Sequence, residues 1–223
     1  MKNQVKALSA AAALACSLNA NATLVIDSFT TFQATISDST LGFGYASSEI
    51  AAAEALGGFR ELRVEKTAGA DPLSSTLGVA AGWLNFGNQP SVTGVGTVIW
   101  DGAGSAGLGG GAGLDLASFG NSFVVKVLNS DSNPYAISFT AYSASGSSTY
   151  TINGSTNGVF GVNFASMIGT ANFAAVTKLE LVLTGADGVD FSIDSTDIPE
   201  PASLALAGLG LLGLGAMRRR QAK

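Results

Sequence analysis

Short runs in which apolar and polar residues alternate, each closed by a turn-forming pair, limit what this chain can fold into more than any other feature. In residues 178–184, Leu179, Leu181 and Leu183 fall on one side, with Glu180 and Val182 on the other. In residues 189–194, Val189, Phe191 and Ile193 alternate with Asp190, Ser192 and Asp194. Side chains change face at every residue of a strand, whereas a helix face repeats every three to four residues, so these runs predict strands with one covered side. Eight further strands are predicted at 24–29, 59–66, 77–86, 92–100, 122–129, 135–142, 148–152 and 159–164. Turn chemistry separates them at Asp131-Ser132-Asn133-Pro134, Ser145-Gly146, Asn153-Gly154, Asn157-Gly158 and Asp187-Gly188. One short helix is predicted at 48–56, with Ser48 as its cap and Gly57 as its stop. Many short strands without an internal repeat predict an all-β, antiparallel β-sandwich, jelly-roll-like, rather than a propeller or β-helix.

Composition removes several chemistries. The 223 residues include no histidine, which excludes a Ser-His-Asp triad, a Cys-His pair and imidazole-bound zinc. The single cysteine, Cys16, excludes an intrachain disulfide framework. Only 12% of residues are charged, and helix-forming charged residues are scarce, which argues against both a helical bundle and a disordered chain.

The two ends read differently from the middle. Lys2 and Lys6 precede an apolar run over 7–18, and Ala20-Asn21-Ala22 offers the small-x-small pattern of a signal peptidase site. The run is about half the ~20 residues of a membrane span, so 1–22 reads as a signal peptide cleaved after Ala22. Two alternatives are a buried N-terminal helix and lipoprotein processing at Ala13-Leu14-Ala15-Cys16. At the other end, Pro199-Glu200-Pro201 is followed by an apolar stretch over 202–217 and by Arg218, Arg219 and Arg220. Sixteen residues of helix reach about 24 Å, close to the ~30 Å hydrocarbon core. The leucines of this stretch leave no polar face, so it suits lipid. The arginine cluster would stay cytoplasmic and the body would lie outside the inner membrane. The two prolines discourage helix and hold Glu200 in an extended segment of the kind a protease can bind.

This order of parts, 199–223, resembles the PEP-CTERM sorting signal of Gram-negative bacteria, with Ile198 standing where that family usually has valine. The resemblance implies recognition and processing by exosortase, a membrane protease-transpeptidase. It also implies association with exopolysaccharide or biofilm, and some proteins bearing the signal bind ice. The domain between the ends, 23–198, resembles more loosely the domains of other PEP-CTERM proteins and jelly-roll carbohydrate-binding modules. The carrying residues are Ile26-Asp27-Ser28-Phe29, Gly57-Gly58-Phe59-Arg60, Trp100-Asp101-Gly102 and the last strands around Leu181 and Phe191.

Within the domain, five bases face sixteen acids, Glu200 included, a net charge of −11 that excludes nucleic acid as a partner. The glycines of 102–113 suggest a phosphate cradle, but the lysine of a P-loop is absent and a strand follows, so the segment reads as a flexible surface loop. Asp187, Asp190, Asp194 and Asp197 are of the type Ca²⁺ prefers, yet along a strand Asp190 and Asp194 would lie about 13 Å apart; a solvated strand face is the better reading. Asp27 and Asp101 are further candidate ligands. No metal or cofactor is assigned. Trp83, Trp100, Tyr135, Tyr142 and Tyr150 would either stack on sugar rings or fill the core. Arg60 and Arg63, lying among Glu61 and Glu65, read as exposed cross-strand charge. No segment argues for a raised carboxylate pair of the glycosidase type.

The sequence therefore predicts an exported, non-enzymatic protein, delivered by signal peptidase and exosortase. It would be anchored in the inner membrane as an intermediate and end at the cell surface or outside the cell. The alternative is a carbohydrate-binding module, with or without Ca²⁺. Ice binding is a third reading, for which regular Thr-x-Thr arrays are not evident.

Overall fold

The computed structural model describes residues 23–199. Ala20 and Ala22, Glu200 and Pro201, the apolar stretch and Arg218, Arg219 and Arg220 lie outside the described residues. Fourteen strands make up the body: β1 (Leu24–Asp27), β2 (Gln33–Asp38), β3 (Ala46–Ala51), β4 (Phe59–Ala68), β5 (Ser75–Ala80), β6 (Trp83–Asn88), β7 (Thr93–Trp100), β8 (Ser122–Leu128), β9 (Tyr135–Ser143), β10 (Gly146–Gly154), β11 (Gly158–Asn163), β12 (Ile168–Gly169), β13 (Val176–Gly185) and β14 (Asp190–Ile198). They form two seven-stranded sheets. The first has the order β11-β8-β14-β6-β5-β2, with β1 also paired to β14, and the second β12-β10-β9-β13-β7-β4-β3. The named strands pair antiparallel.

The two sheets pack face to face because their alternating apolar rows have nowhere else to go. Leu179, Leu181 and Leu183 are buried, as are Val189, Phe191 and Ile193, so the two clearest alternations face the core as the sequence predicts. Aromatic rings join the layers. Phe123 stacks on Phe139 at 5.2 Å, and Tyr135 meets Phe191 at 4.7 Å.

Four expectations are corrected. Residues 48–56 are not a helix: six cross-strand pairs tie β3 to β4, and Leu56–Gly58 forms only a 3-10 turn. Pairing with the free edge of β4 outweighs the helix preference of an alanine-rich segment. The predicted strand 77–86 is a hairpin, β5 and β6, reversed at Ala81-Gly82 with φ of +57° and +81°. Two left-handed residues make the tight turn whose twist suits a hairpin, and only the glycine announces it. β2 and β12 are strands that the alternation does not predict. In β2 the inward residues at both ends are polar, Gln33 and Asp38, and a register shift lies between Gln33 and Ile36, so period two is lost. The glycine-rich segment after β7 is more than a surface loop. Leu108 and Leu116 are buried beneath it, and Leu114 bridges to Val176, so it caps one end of the sandwich.

At that same end the described chain both begins and stops. Leu24 is paired with Ile198, and Ser122 with Asn163, so β1, β8, β11 and β14 all reach it. Among the described residues, no helix is long and apolar enough to cross a membrane.

Candidate functional site

Three of the sequence fragments singled out above converge just inside this end. Asp27 of β1, Arg60 of β4 and Trp100 of β7 are all fully buried. The Arg60 guanidinium donates to both Asp27 carboxylate oxygens, at 2.9 and 3.0 Å. It also donates to Gln33 Oε1 at 2.8 Å and to the Thr31 carbonyl at 2.7 Å. Trp100 Nε1 and the Phe29 amide complete the shell of Asp27, at 2.9 and 2.8 Å. Burial pushes the Asp27 carboxyl above its usual value, and Arg60 offsets only part of that rise. Every polar arm here is spent inside the protein, which makes the cluster a pin between the sheets rather than a ligand site. The expectation that Arg60 is surface charge is therefore overturned, and Asp27 is not free to hold a metal. Arg63 does lie outside, bonded to Glu61 at 2.7 and 3.0 Å.

The outer face of the first sheet offers a different arrangement. A hollow of about 300 Å³ is lined by Thr35, Thr76, Asn85, Gly87, Asp190 and Ser192 among others. Registers bring these together: Thr76 pairs with Gly87 and Gly87 with Asp190, while Gly78 pairs with Asn85 and Asn85 with Ser192. Glycines keep the floor low. A methyl at Gly78 would sit 2.6 Å from Thr35 Oγ1, and one at Gly87 would collide with Asp190 Oδ1. Ser192 donates to Asn85 Oδ1 at 2.8 Å, and Asn85 Nδ2 to the Trp83 carbonyl at 3.1 Å. Trp83, 37% exposed, continues the outward row of β6 two residues from Asn85. Among the described residues, no donor reaches the Asp190 carboxylate. Partial burial raises its pKa, and the neighbouring Asp131 charge raises it further. Asp131 itself is committed to Asn133 and to the Asp190 amide, so the hollow presents one open carboxylate rather than a catalytic pair.

The outer face of the second sheet is less open. Its hollow, about 180 Å³, is lined by Tyr45, Arg63, Glu65, Val95, Thr97, Ile99 and Glu180, and Arg63 is already held by Glu61 and covered by the Tyr45 ring. A short hydroxyl array does occur on β9 and β10. It is bonded across the strands, Ser138 to Thr151 at 2.8 Å and Thr140 to Thr149 at 2.9 Å.

The other sequence candidates do not assemble. Trp100 and Tyr135 are core, Tyr150 is 37% exposed on the other sheet, and Tyr142 lies under the Lys178 ammonium. Asp194 pairs with Lys126 across β14 and β8, Asp187 accepts from the Ser91 amide, and Asp101 is nearly buried. Among the described residues, no three acids or other ligand types form a metal cluster. Pro199 is the one processing residue within the described chain. It follows β14 directly, its carbonyl against Gly120.

Comparison with known proteins bears on this exit point. Residues 197–220 match the family model of the PEP-CTERM protein-sorting motif. The chain carries a PEP-CTERM sorting signal. The motif begins inside β14, at Asp197 and Ile198, and runs out through Pro199. No curated protein matches the chain in sequence. Among solved structures, the chain is similar to a family 30 carbohydrate-binding module, at 13% identity and TM-score 0.40 over 80% of this chain and 87% of that one. A family 28 module specific for non-crystalline cellulose matches at 9% identity and TM-score 0.34, over 54% and 78%. An agarase, AgWH50C, matches at 11% identity and TM-score 0.43 over 81% of this chain. The chain spans only 25% of that agarase and 22% of another match, PfGH50B.

Proposed function

We propose that this is an exported, non-enzymatic cell-surface or matrix protein whose tail is processed by exosortase. The observation that carries the reading is the sorting motif at 197–220, joined without spacer to the last strand. On this reading 1–22 is removed as a signal peptide, 23–198 is a jelly-roll-like domain, and 199–223 holds it in the inner membrane until processing. Ala20 and Ala22 serve signal peptidase; Pro199, Glu200 and Pro201 are read by exosortase; Arg218, Arg219 and Arg220 stop transfer. The test is fractionation of cells expressing the full chain, with and without an active exosortase. A membrane-bound form in its absence and a shorter, extracellular form in its presence are expected. A full-length protein soluble in the cytoplasm overturns the proposal.

A second reading, polysaccharide binding, is favoured by the hollow on the first sheet. A glycine floor, hydroxyl and amide side chains and one flanking indole match the chemistry of a sugar, which offers hydroxyls at its rim and C–H groups on its face. Affinity electrophoresis through gels containing a panel of polysaccharides tests it. W83A and D190N should reduce retardation at least tenfold in apparent affinity without lowering the melting temperature. Equal retardation of both variants and the unaltered protein refutes this site.

A further inference from the structure

The described chain starts and ends on paired strands, Leu24 with Ile198 and Val25 with Asp197. Ile198 is fully buried, and only Pro199, Glu200 and Pro201 separate it from the apolar stretch that begins at Ala202. An enzyme that binds its substrate as an extended strand needs free backbone on both sides of the residues it reads, and here the upstream side is occupied. β14 is flanked at this point by β8, through Asp197 with Val124, and by β1. The two neighbours are not equally fixed. β8 runs seven residues and also pairs with β11, whereas β1 has four residues and pairs with β14 alone. A register shift between Val25 and Asp27 divides β1, so that Asp27 is pinned by Arg60 while Leu24 and Val25 lie beyond the pin. Val25 is 41% exposed and Leu24 half-buried.

We propose that Leu24 and Val25 form a latch over the sorting motif, and that their release from Ile198 and Asp197 is required for the tail to be processed. Lifting them bares one backbone edge of β14, onto which the processing enzyme adds as the next strand, while β8 keeps the other edge in place. The bulge at Ile26 is the hinge, and the Asp27–Arg60 pair keeps the opening local. This rests on the reading of the tail as an exosortase substrate.

The experiment is a cross-strand disulfide, V25C/D197C, in the full chain expressed where exosortase is active. Directly paired strand residues fall within the Cα separations a disulfide spans, and Cys16 leaves with the leader. Intact mass of the recovered protein reads out the tail. The oxidised form should keep it, with processing reduced at least tenfold relative to V25S/D197S, which carries the same two replacements without the cross-link. A second variant, L24G, weakens the latch without a cross-link and should be processed several-fold faster. Disulfide-bonded protein recovered without its tail, or L24G processed at the unaltered rate, overturns the latch. Failure of the unaltered chain and V25S/D197S alike to lose the tail overturns the sorting reading itself, and the latch with it.

Discussion

Replacing Arg60 by methionine keeps an unbranched stem of similar girth and removes the charge that Asp27 faces. Both side chains have zero exposure, so Asp27 would be left as a buried anion with only Trp100 Nε1 and the Phe29 amide as donors. Gln33 Oε1 and the Thr31 carbonyl would also lose a donor. Breaking a buried pair from one side costs about 3–5 kcal/mol, a large share of the ~5–15 kcal/mol that holds a typical domain together. For a domain of this size that is a fall in Tm of about 6–20 °C. Thermal and urea unfolding of the protein measure it. The loss should depend on pH with a definite sign. Without Arg60, only burial and two neutral donors act on Asp27, and burial raises its pKa from the usual 3.8. The folded state then binds a proton that the unfolded state releases, so stability falls as pH rises from 3.8 through the folded value. R60M should therefore be weakest at neutral pH and recover on acidification. In D27N/R60M both charges are gone, and the loss should be smaller than the sum of the single losses. An R60M variant that melts within about 1 °C of the unaltered protein, with additive double-variant behaviour, would place Arg60 at the surface and refute the pin.

Three other expectations concern the first-sheet hollow. G87L would fill the floor where even a methyl would collide with Asp190 Oδ1, so polysaccharide retardation should disappear while far-UV dichroism stays that of a β protein; retained binding would move the site elsewhere. Asp190 should titrate above the ordinary aspartate value of 3.8, because of burial first and Asp131 second. In D131N its NMR midpoint should fall part of the way back, and an unmoved midpoint would remove the Asp131 contribution. The sign for stability is again that of a raised acid: ionising Asp190 costs folding free energy, so D190N should flatten the decline in stability as pH rises above 3.8.

What the sequence makes legible follows from where side chains point. Strands with an apolar inner row, such as β13 and β14, are plain from Leu179, Leu181, Leu183, Phe191 and Ile193. The same rule hides β2, whose inward positions carry Gln33 and Asp38 to serve Arg60 and the Lys66 amide. It also misplaces Arg60, because an arginine between Phe59 and Glu61 looks exposed until Asp27, thirty-three residues away, is found opposite it. In the sequence, Asp27, Arg60 and Trp100 lie in three separate short fragments, Ile26-Asp27-Ser28-Phe29, Gly57-Gly58-Phe59-Arg60 and Trp100-Asp101-Gly102, with nothing local to join them. The hollow was harder still. Thr35, Asn85 and Asp190 are ordinary surface residues, and their meeting depends on the order β14-β6-β5-β2, which local alternation does not encode. The sorting signal needs no fold to be read, since its parts follow one another along the chain.

If the hollow takes a polysaccharide as proposed, the charge inventory limits which one. All five bases between residues 23 and 199 are engaged by carboxylates: Arg60 by Asp27, Arg63 by Glu61, Lys66 by Asp71, Lys126 by Asp194 and Lys178 by Glu180. None is left to meet an anionic sugar, and Asp190 in the hollow would repel one. On the polysaccharide-binding proposal, a neutral polymer is the ligand this surface favours. Retardation by a neutral glucan or galactan should thus be the same in dilute buffer and at about 0.5 M salt, where charges more than several ångströms apart are screened. A polyuronate should bind weakly in dilute buffer and gain rather than lose as salt rises. Tight polyuronate binding that salt abolishes would mean that one of these ion pairs opens to receive the ligand, and the hollow as described would not be the site.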